Sequence, residues 1–382
     1  MKPIRVINEQ FELLTEIDNY TSAIIERDWY GIGSLELEIN KNIPGADLLQ
    51  RGNILFLGAN LDEAFIIRHR EIRLDEEGRA SEVWKIEAPS LKSILSQRLT
   101  VPPSGTGYDR LTATAETVMK HYVANNVTDP EDIARRVDLV EIATDQSRGP
   151  SLEWRSRYKN LADEMASIGF VTGIGWNISL DIQNEKWVFD AKEGKDLTAS
   201  QSENPPVIIS PQFDSVKELE YLETELDFKN YAYVAGQGEG ADRRVIPEGS
   251  SSTGLERYEL FVDARDVTEE DDDQNPRPEQ DVIDELKARG QRNLREHEQE
   301  RYFNGQLLMK SPFEYQVDYD LGDIVTLQNK EWGVTMDARI TIIREVYDAD
   351  GMNIEAVFGN DQPNLITKIK EGFGQLSNEV RR

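Results

Sequence analysis

The feature that most restricts the fold is an internal echo between the two ends of the chain. Gly322-Asp323-Ile324-Val325-Thr326-Leu327 repeats the character of Gly52-Asn53-Ile54-Leu55-Phe56-Leu57. Ile340 followed by Arg344-Glu345-Val346 keeps the spacing of Ile66 followed by Arg70-Glu71-Ile72, and Ile354-Glu355-Ala356 matches Ile86-Glu87-Ala88. Each piece alternates apolar and polar side chains or is a short β-branched run, so each copy reads as three strands of a small antiparallel barrel or sandwich. Two unrelated β-meanders with loops of free length give a similar pattern, and the echo competes with that reading. Taken as a repeat, it predicts an α+β, mainly β chain: two related β-barrel domains with an α/β insertion between them, the ground plan of a ring or tube component.

Charge narrows the function classes. Asp and Glu number 72 against 43 Lys and Arg, a net charge of −29. Affinity for phosphate backbones comes from cationic side chains that displace counterions, so this balance argues against gripping nucleic acid. Cysteine is absent, which removes disulfides and thiolate metal sites. No apolar run approaches the roughly 18 residues of a membrane span. The N-terminus leads into a strand-like pattern without a signal-peptide core, so the expected product is soluble and made in the cytoplasm.

Residues 1–98 read as the first β-domain. Leu35, Leu37 and Ile39 alternate with glutamates, Tyr20 to Tyr30 is strand-like and ends at Gly31-Ile32-Gly33, Arg73 to Glu87 reads as a hairpin, and Ser90 to Ser96 as a short helix. Residues 99–206 form the insertion and its linker. One helix starts at Thr112 as N-cap and carries Ala115, Val118, Met119 and Tyr122; a second runs from Ser156 to Ile168 and stops at Gly169; Trp176 to Asp190 is a hairpin. Residues 207–365 read as the second β-domain. It includes strands over Val216–Thr224, Tyr231–Ala235, Arg243–Ile246 and Tyr258–Val262, an acidic loop from Thr268 to Pro276, and a charged helix over about 278–300. That helix has a thin apolar stripe of Val282, Ile283, Leu286 and Leu294, which predicts a surface position or cover by another subunit. Residues 366–382 read as a C-terminal tail.

Motifs for chemistry are weak. His69, His121 and His297 are the whole imidazole supply and none has metal-ligand spacing. A cysteine nucleophile is impossible, and no GxSxG elbow occurs. Gly236-Gln237-Gly238-Glu239-Gly240 lacks the Lys-Ser/Thr ending of a phosphate loop and reads as a hairpin loop. The acidic run does not match an EF-hand. Trp29-Tyr30, Trp154, Trp176 and Trp187 suit a sugar-stacking platform or, more simply, a core. A carboxylate-pair wall hydrolase and a carbohydrate-binding adhesin therefore stand as alternatives to a structural role. No catalytic, cofactor-binding or metal residue is assigned.

Several stretches together resemble a known family. Ile4-Arg5-Val6-Ile7, Ile17-Asp18-Asn19-Tyr20, Arg27 to Leu37, Glu116 to Tyr122, Gly236 to Gly240, Asp320 to Ile324 and Trp332 to Asp337 occur in the order seen in a siphophage tail protein family often carried in prophages. The likeness extends to about Lys370. It is similar to the tail-tip or baseplate hub, the N-terminal structural part of tail-associated lysins, related to the hub of contractile tails. The resemblance implies a non-enzymatic homotrimer in the virion tail tip. Each chain would supply two tail-tube-like barrels to a pseudo-six-fold ring under a hexameric distal tail protein. The tape measure protein and fibre or lysin components would be neighbours, with DNA passing through without specific binding and without membrane insertion. Such lysins usually continue into a peptidase or fibre-like region, whereas this sequence stops at Arg382. Arg70, Glu71, Arg344 and Glu345 are proposed from the echo as matching interface positions of the two barrels.

Overall fold

Alternation decides which face of a strand is covered, and the echoing regions obey it. Along Ser34–Asn40, Leu35, Leu37 and Ile39 are fully buried while Glu36 and Glu38 face water. The computed structural model describes residues 2–74, 78, 81–270, 275–308, 311–349 and 351–359. The expected tail over 366–382 lies outside these residues, as do most of the turn after Leu74 and residues 271–274 of the acidic loop.

The first β-module comprises β1 (Ile4–Ile7), β2 (Leu13–Ile17), β3 (Ser22–Asp28), β4 (Ser34–Asn40), β5 (Ile54–Leu57), β6 (Ala64–Ile66), β7 (His69–Glu71) and β8 (Val83–Pro89). The insertion follows, with β9 (Asp109–Thr114), α1 (Ala115–Val123), β10 (Val140–Ile142), β11 (Ser151–Ser156), α2 (Leu161–Thr172), β12 (Gly175–Asp181) and β13 (Lys186–Lys192). The second module opens with β14 (Asp196–Leu197), β15 (Ile208–Ile209) and β16 (Val216–Thr224). A subdomain of β17 (Tyr231–Ala235), β18 (Val245–Gly249), β19 (Glu259–Asp263) and α3 (Glu279–Arg295) comes next. The chain then returns through β20 (Glu300–Leu307), β21 (Ile324–Asn329), β22 (Val334–Asp348) and β23 (Gly351–Gly359).

Each module has its own apolar core. Leu35, Leu37, Leu55, Phe65, Ile67 and Ile86 belong to the first, and Val325, Leu327, Ile340, Ile354, Ala356 and Phe358 to the second. The sheets are nevertheless joined. The longest sheet runs β16-β20-β23-β22-β3-β4-β8-β7, because β22 of the second module pairs antiparallel with β3 of the first. Among the described strands this sheet ends at β16 and β7 and does not close on itself.

The echo is visible in the hydrogen bonds. Gly52 N–H donates to Ile67 O and Ile67 N–H to Asn53 O, both at 2.9 Å; Gly322 N–H donates to Ile340 O and Ile340 N–H to Asp323 O, both at 2.8 Å. Gly52 and Gly322 hold φ of 96° and 92°, which glycine adopts without a Cβ penalty. Pairing slips by one residue at the same place in both copies, between Phe65 and His69 against β8 and between Ile340 and Ile342 against β23. The residue phase differs from that of the bare sequence match. Ile54 pairs with Ile66 where Ile324 pairs with Arg339, so Ile340 corresponds to Ile67 rather than Ile66. Arg70 pairs with Ile86 where Ile343 pairs with Ala356, so the third strand is displaced by two residues, which keeps its facing.

In the insertion, the helices differ from expectation at their ends. Thr112 lies in β9, and Thr114 is the N-cap of α1. The second helix begins five residues later than Ser156, at Leu161, because Asn160 accepts from the Ala162 and Asp163 N–H groups; it ends at Gly173 rather than Gly169. The β9·β11 pair and β10 had no marked pattern in the sequence and are additional. The charged helix α3 is covered within its own chain: Val282 and Leu286 pack with Ala232, Val234 and Val262 of the β18-β17-β19 sheet.

Candidate functional site: the junction of the two β-modules

The sequence places a charged residue where alternation calls for an apolar one. Ala23, Ile25 and Arg27 are the inward positions of β3, and Arg27 is only 8% exposed. Its Nε lies 2.7 Å from Glu63 and its Nη1 lies 2.6 Å from Asp320 and 2.6 Å from the Tyr315 hydroxyl. Tyr315 in turn donates to Glu345 at 2.8 Å, and Tyr347 donates to the other Glu345 oxygen at 2.5 Å. Residues from both modules thus share one buried polar chain across β3·β22.

The protonation preferences follow from these contacts. Burial by itself lowers the Arg27 pKa, but Glu63, Tyr315 and Asp320 outweigh it and hold the guanidinium charged. Burial raises the Glu63 carboxyl, and Arg27 opposes that rise. Tyr347 is pushed up by burial and then by Glu345, so it stays a hydrogen-bond donor. At the foot of the junction a cavity of about 190 Å³ is lined by Arg27, Asp28, Glu63, Lys92, Trp176 and Asp320. Lys92 is buried there, donates to Asp28 O at 2.9 Å and sits 4.3 Å from the Trp176 ring centre. Burial pulls its pKa down to about 8, with Asp28 and Glu63 opposing.

The four interface candidates do not match pair for pair, because the one-residue phase shift aligns Arg70 with Ile343 and Glu71 with Arg344, and they fall into two groups. Arg344 and Glu345 lie on β22 inside the junction, opposite Glu26 and Ile25. Arg70 and Glu71 lie on β7, which is the outer edge strand of the sheet. Arg27 and Asp320 open two of the stretches that carry the family resemblance, but none of Arg27, Glu63, Lys92, Tyr315 and Asp320 was given a role from the sequence. Arg27 carried a further signal, its place in the alternation Ala23-Ile25-Arg27.

The remaining sequence candidates are dispersed. His69 is exposed on β7, His121 Nε2 lies 2.6 Å from Asp109 Oδ1, and His297 lies 3.4 Å from Asp227. Among the described residues no group of three or more such side chains is placed to hold a metal ion. Trp29, Trp154, Trp176 and Trp187 are all at most 7% exposed, which removes them as a sugar platform. Gly236 to Gly240 links the antiparallel β17 and β18 as a hairpin loop.

The sequence matches the Siphovirus ReqiPepy6 Gp37-like protein family over residues 3–360. The chain belongs to that family. No curated protein matches it. Among solved structures, it is similar to the 43 kDa tail protein of prophage MuSo2 from Shewanella oneidensis, with TM-score 0.57 and 12% identity over 94% of this chain and 98% of that one. A tail protein from Neisseria meningitidis MC58 gives TM-score 0.55 and 13% identity over 94% and 96%. Prophage tail protein gp18 from Listeria monocytogenes EGD-e gives 0.52 and 13% over the full length of both chains. At these identities the likeness establishes a shared fold, one that spans both modules and the insertion.

Proposed function

We propose that this protein is a structural component of a phage tail, the tail-tip hub, and that three copies form a ring beneath the hexameric tail tube. The observation that carries this reading is the head-to-tail union of two like modules in one sheet through β22·β3. A contact between two different edges of a repeating unit is heterologous, and heterologous contacts generate rings when the rotation closes. Two modules per chain and three chains give six repeats, so a three-fold particle presents near six-fold symmetry to a six-fold tube. Family membership and the folds of the prophage tail proteins support the first part of this reading, a structural phage tail protein.

The role is mechanical, not enzymatic. The charged side chains of the junction are engaged with other protein groups and hold two modules in fixed relation. Each chain contributes a net charge of −29, which opposes specific binding of DNA passing through such a ring. The distal tail protein, the tape measure protein and fibre or lysin components are the proposed neighbours in the virion. Immunogold labelling of purified virions tests this: label confined to the tail tip supports the hub, and label absent from tails rejects it.

A further inference from the structure

We propose that β7 of one chain pairs antiparallel with β16 of a second copy, reproducing between chains the β22·β3 junction found within one. This rests on the ring reading and specifies its interface. Strand registers fix the correspondence. Ile25 pairs with Leu35, which pairs with Ala88; Tyr221 pairs with Phe303, which pairs with Phe358. Ala23, Leu37 and Ile86 likewise correspond to Leu219, Gly305 and Ala356. Thus β16 is the counterpart of β3, and β7 with the residues after it is the counterpart of β22.

The two outer edges look like a junction with its partner missing. Counting on from Ile67 and Ile340, Ile72 corresponds to Glu345 and Leu74 to Tyr347. Glu345 and Tyr347 are 4% and 3% exposed because β3 covers them, whereas Ile72 and Leu74 are 36% and 67% exposed. Apolar side chains on an uncapped sheet edge are a template for another strand. Neither β7 nor β16 has a second partner strand among the described residues.

Transferring the in-chain register makes the fit explicit. Glu345 faces Ile25 and Tyr347 faces Ala23, which sets Ile72 against Tyr221 and Leu74 against Leu219 of the next copy. Ile343 faces Arg27 and Val346 faces Ile24, which sets Arg70 against Glu223 and Arg73 against Glu220. Of the six pairs this register sets, two are apolar on apolar and two are cation on anion, and the other two set Glu71 against Leu222 and His69 against Thr224. The β16 edge is mainly acidic, with Glu218, Glu220 and Glu223 exposed beside Lys217, while the β7 side is mainly basic, with Arg68, His69, Arg70 and Arg73 beside Glu71, which pairs with Arg73.

The chain has no cysteine, so engineered pairs report the register cleanly. Facing residues of an antiparallel pair have Cα atoms about 4.5–5.5 Å apart, within disulfide reach. Ile72→Cys combined with Tyr221→Cys, oxidised in the full-length protein, is expected to give covalent dimers and closed trimers in denaturing gels. Each single variant should stay uncross-linked, as should the out-of-register pair Ile72→Cys with Lys217→Cys. Separately, Arg73→Glu should weaken association about ten-fold, and Glu220→Arg added to it should restore association. Trimers by mass without in-register cross-links would overturn the edge assignment while leaving the ring intact. A chain that stays monomeric at every salt concentration would remove the ring reading and this pairing together.

Discussion

Arg27→Met keeps most of the aliphatic stem and removes the guanidinium that ties β3 to the second module. Left behind are Glu63 without its 2.7 Å partner, Asp320 and the Tyr315 hydroxyl. Removing one member of a buried ion pair costs about 3–5 kcal/mol, because the other charge stays desolvated. The Asp320 side chain is 44% exposed and regains hydration, which puts the expected loss at the lower end, about 3 kcal/mol. Urea denaturation followed by tryptophan fluorescence measures it. Adding Glu63→Gln should recover at least half of the loss, since the carboxylate that loses its Arg27 partner is then neutral. The pH dependence has a definite sign. Burial already raises the Glu63 pKa, and loss of Arg27 raises it further. A carboxyl whose folded pKa exceeds its unfolded value stabilises the fold below the unfolded value and loses that contribution as pH rises through the folded one. The deficit of Arg27→Met should therefore be full at pH 8 and shrink towards pH 4. A deficit under about 1 kcal/mol, or one indifferent to both pH and Glu63→Gln, would refute the fastening role.

Three further outcomes follow from the geometry. Lys92 has its pKa lowered from 10.5 to about 8, so stability relative to Lys92→Met should rise by about 2 kcal/mol between pH 7 and 9.5, read as a difference of unfolding free energies. At Gly52 an added Cβ meets open space, but at Gly322 it would come within 2.2 Å of the Trp29 ring. Gly52→Ala should then cost about 1 kcal/mol and Gly322→Ala at least about 3 kcal/mol, compared by urea midpoints. Asn160→Ala should cost about 1 kcal/mol through loss of the α2 N-cap, with amide exchange accelerated at Ala162 and Asp163.

The modules were legible in the sequence because alternation and turn glycines are local. Ser34–Asn40, Tyr231–Ala235 and the echoing strands lie where the pattern puts them. Phase was less legible: Ile66 and Ile67 are both buried, one towards the insertion and one into the module core, so spacing alone cannot choose between them. Partnership between strands was not legible at all. Nothing in Ala23-Ile24-Ile25 announces Glu345 and Tyr347 as neighbours over three hundred residues away, and the two modules accordingly read as separate domains where one sheet joins them. The polar chain at the junction was hidden for the same reason, since Tyr315 and Asp320 sit in a loop without periodicity. The cover over α3 was likewise invisible, because three short strands earlier in the chain supply it.

The most direct measurement is an averaged electron-microscopy image of the purified protein viewed down its symmetry axis, with particle mass determined on the same sample. The account predicts three chains arranged as six similar β-modules around a central hole. A monomer, or an assembly without six similar modules around a hole, would contradict it.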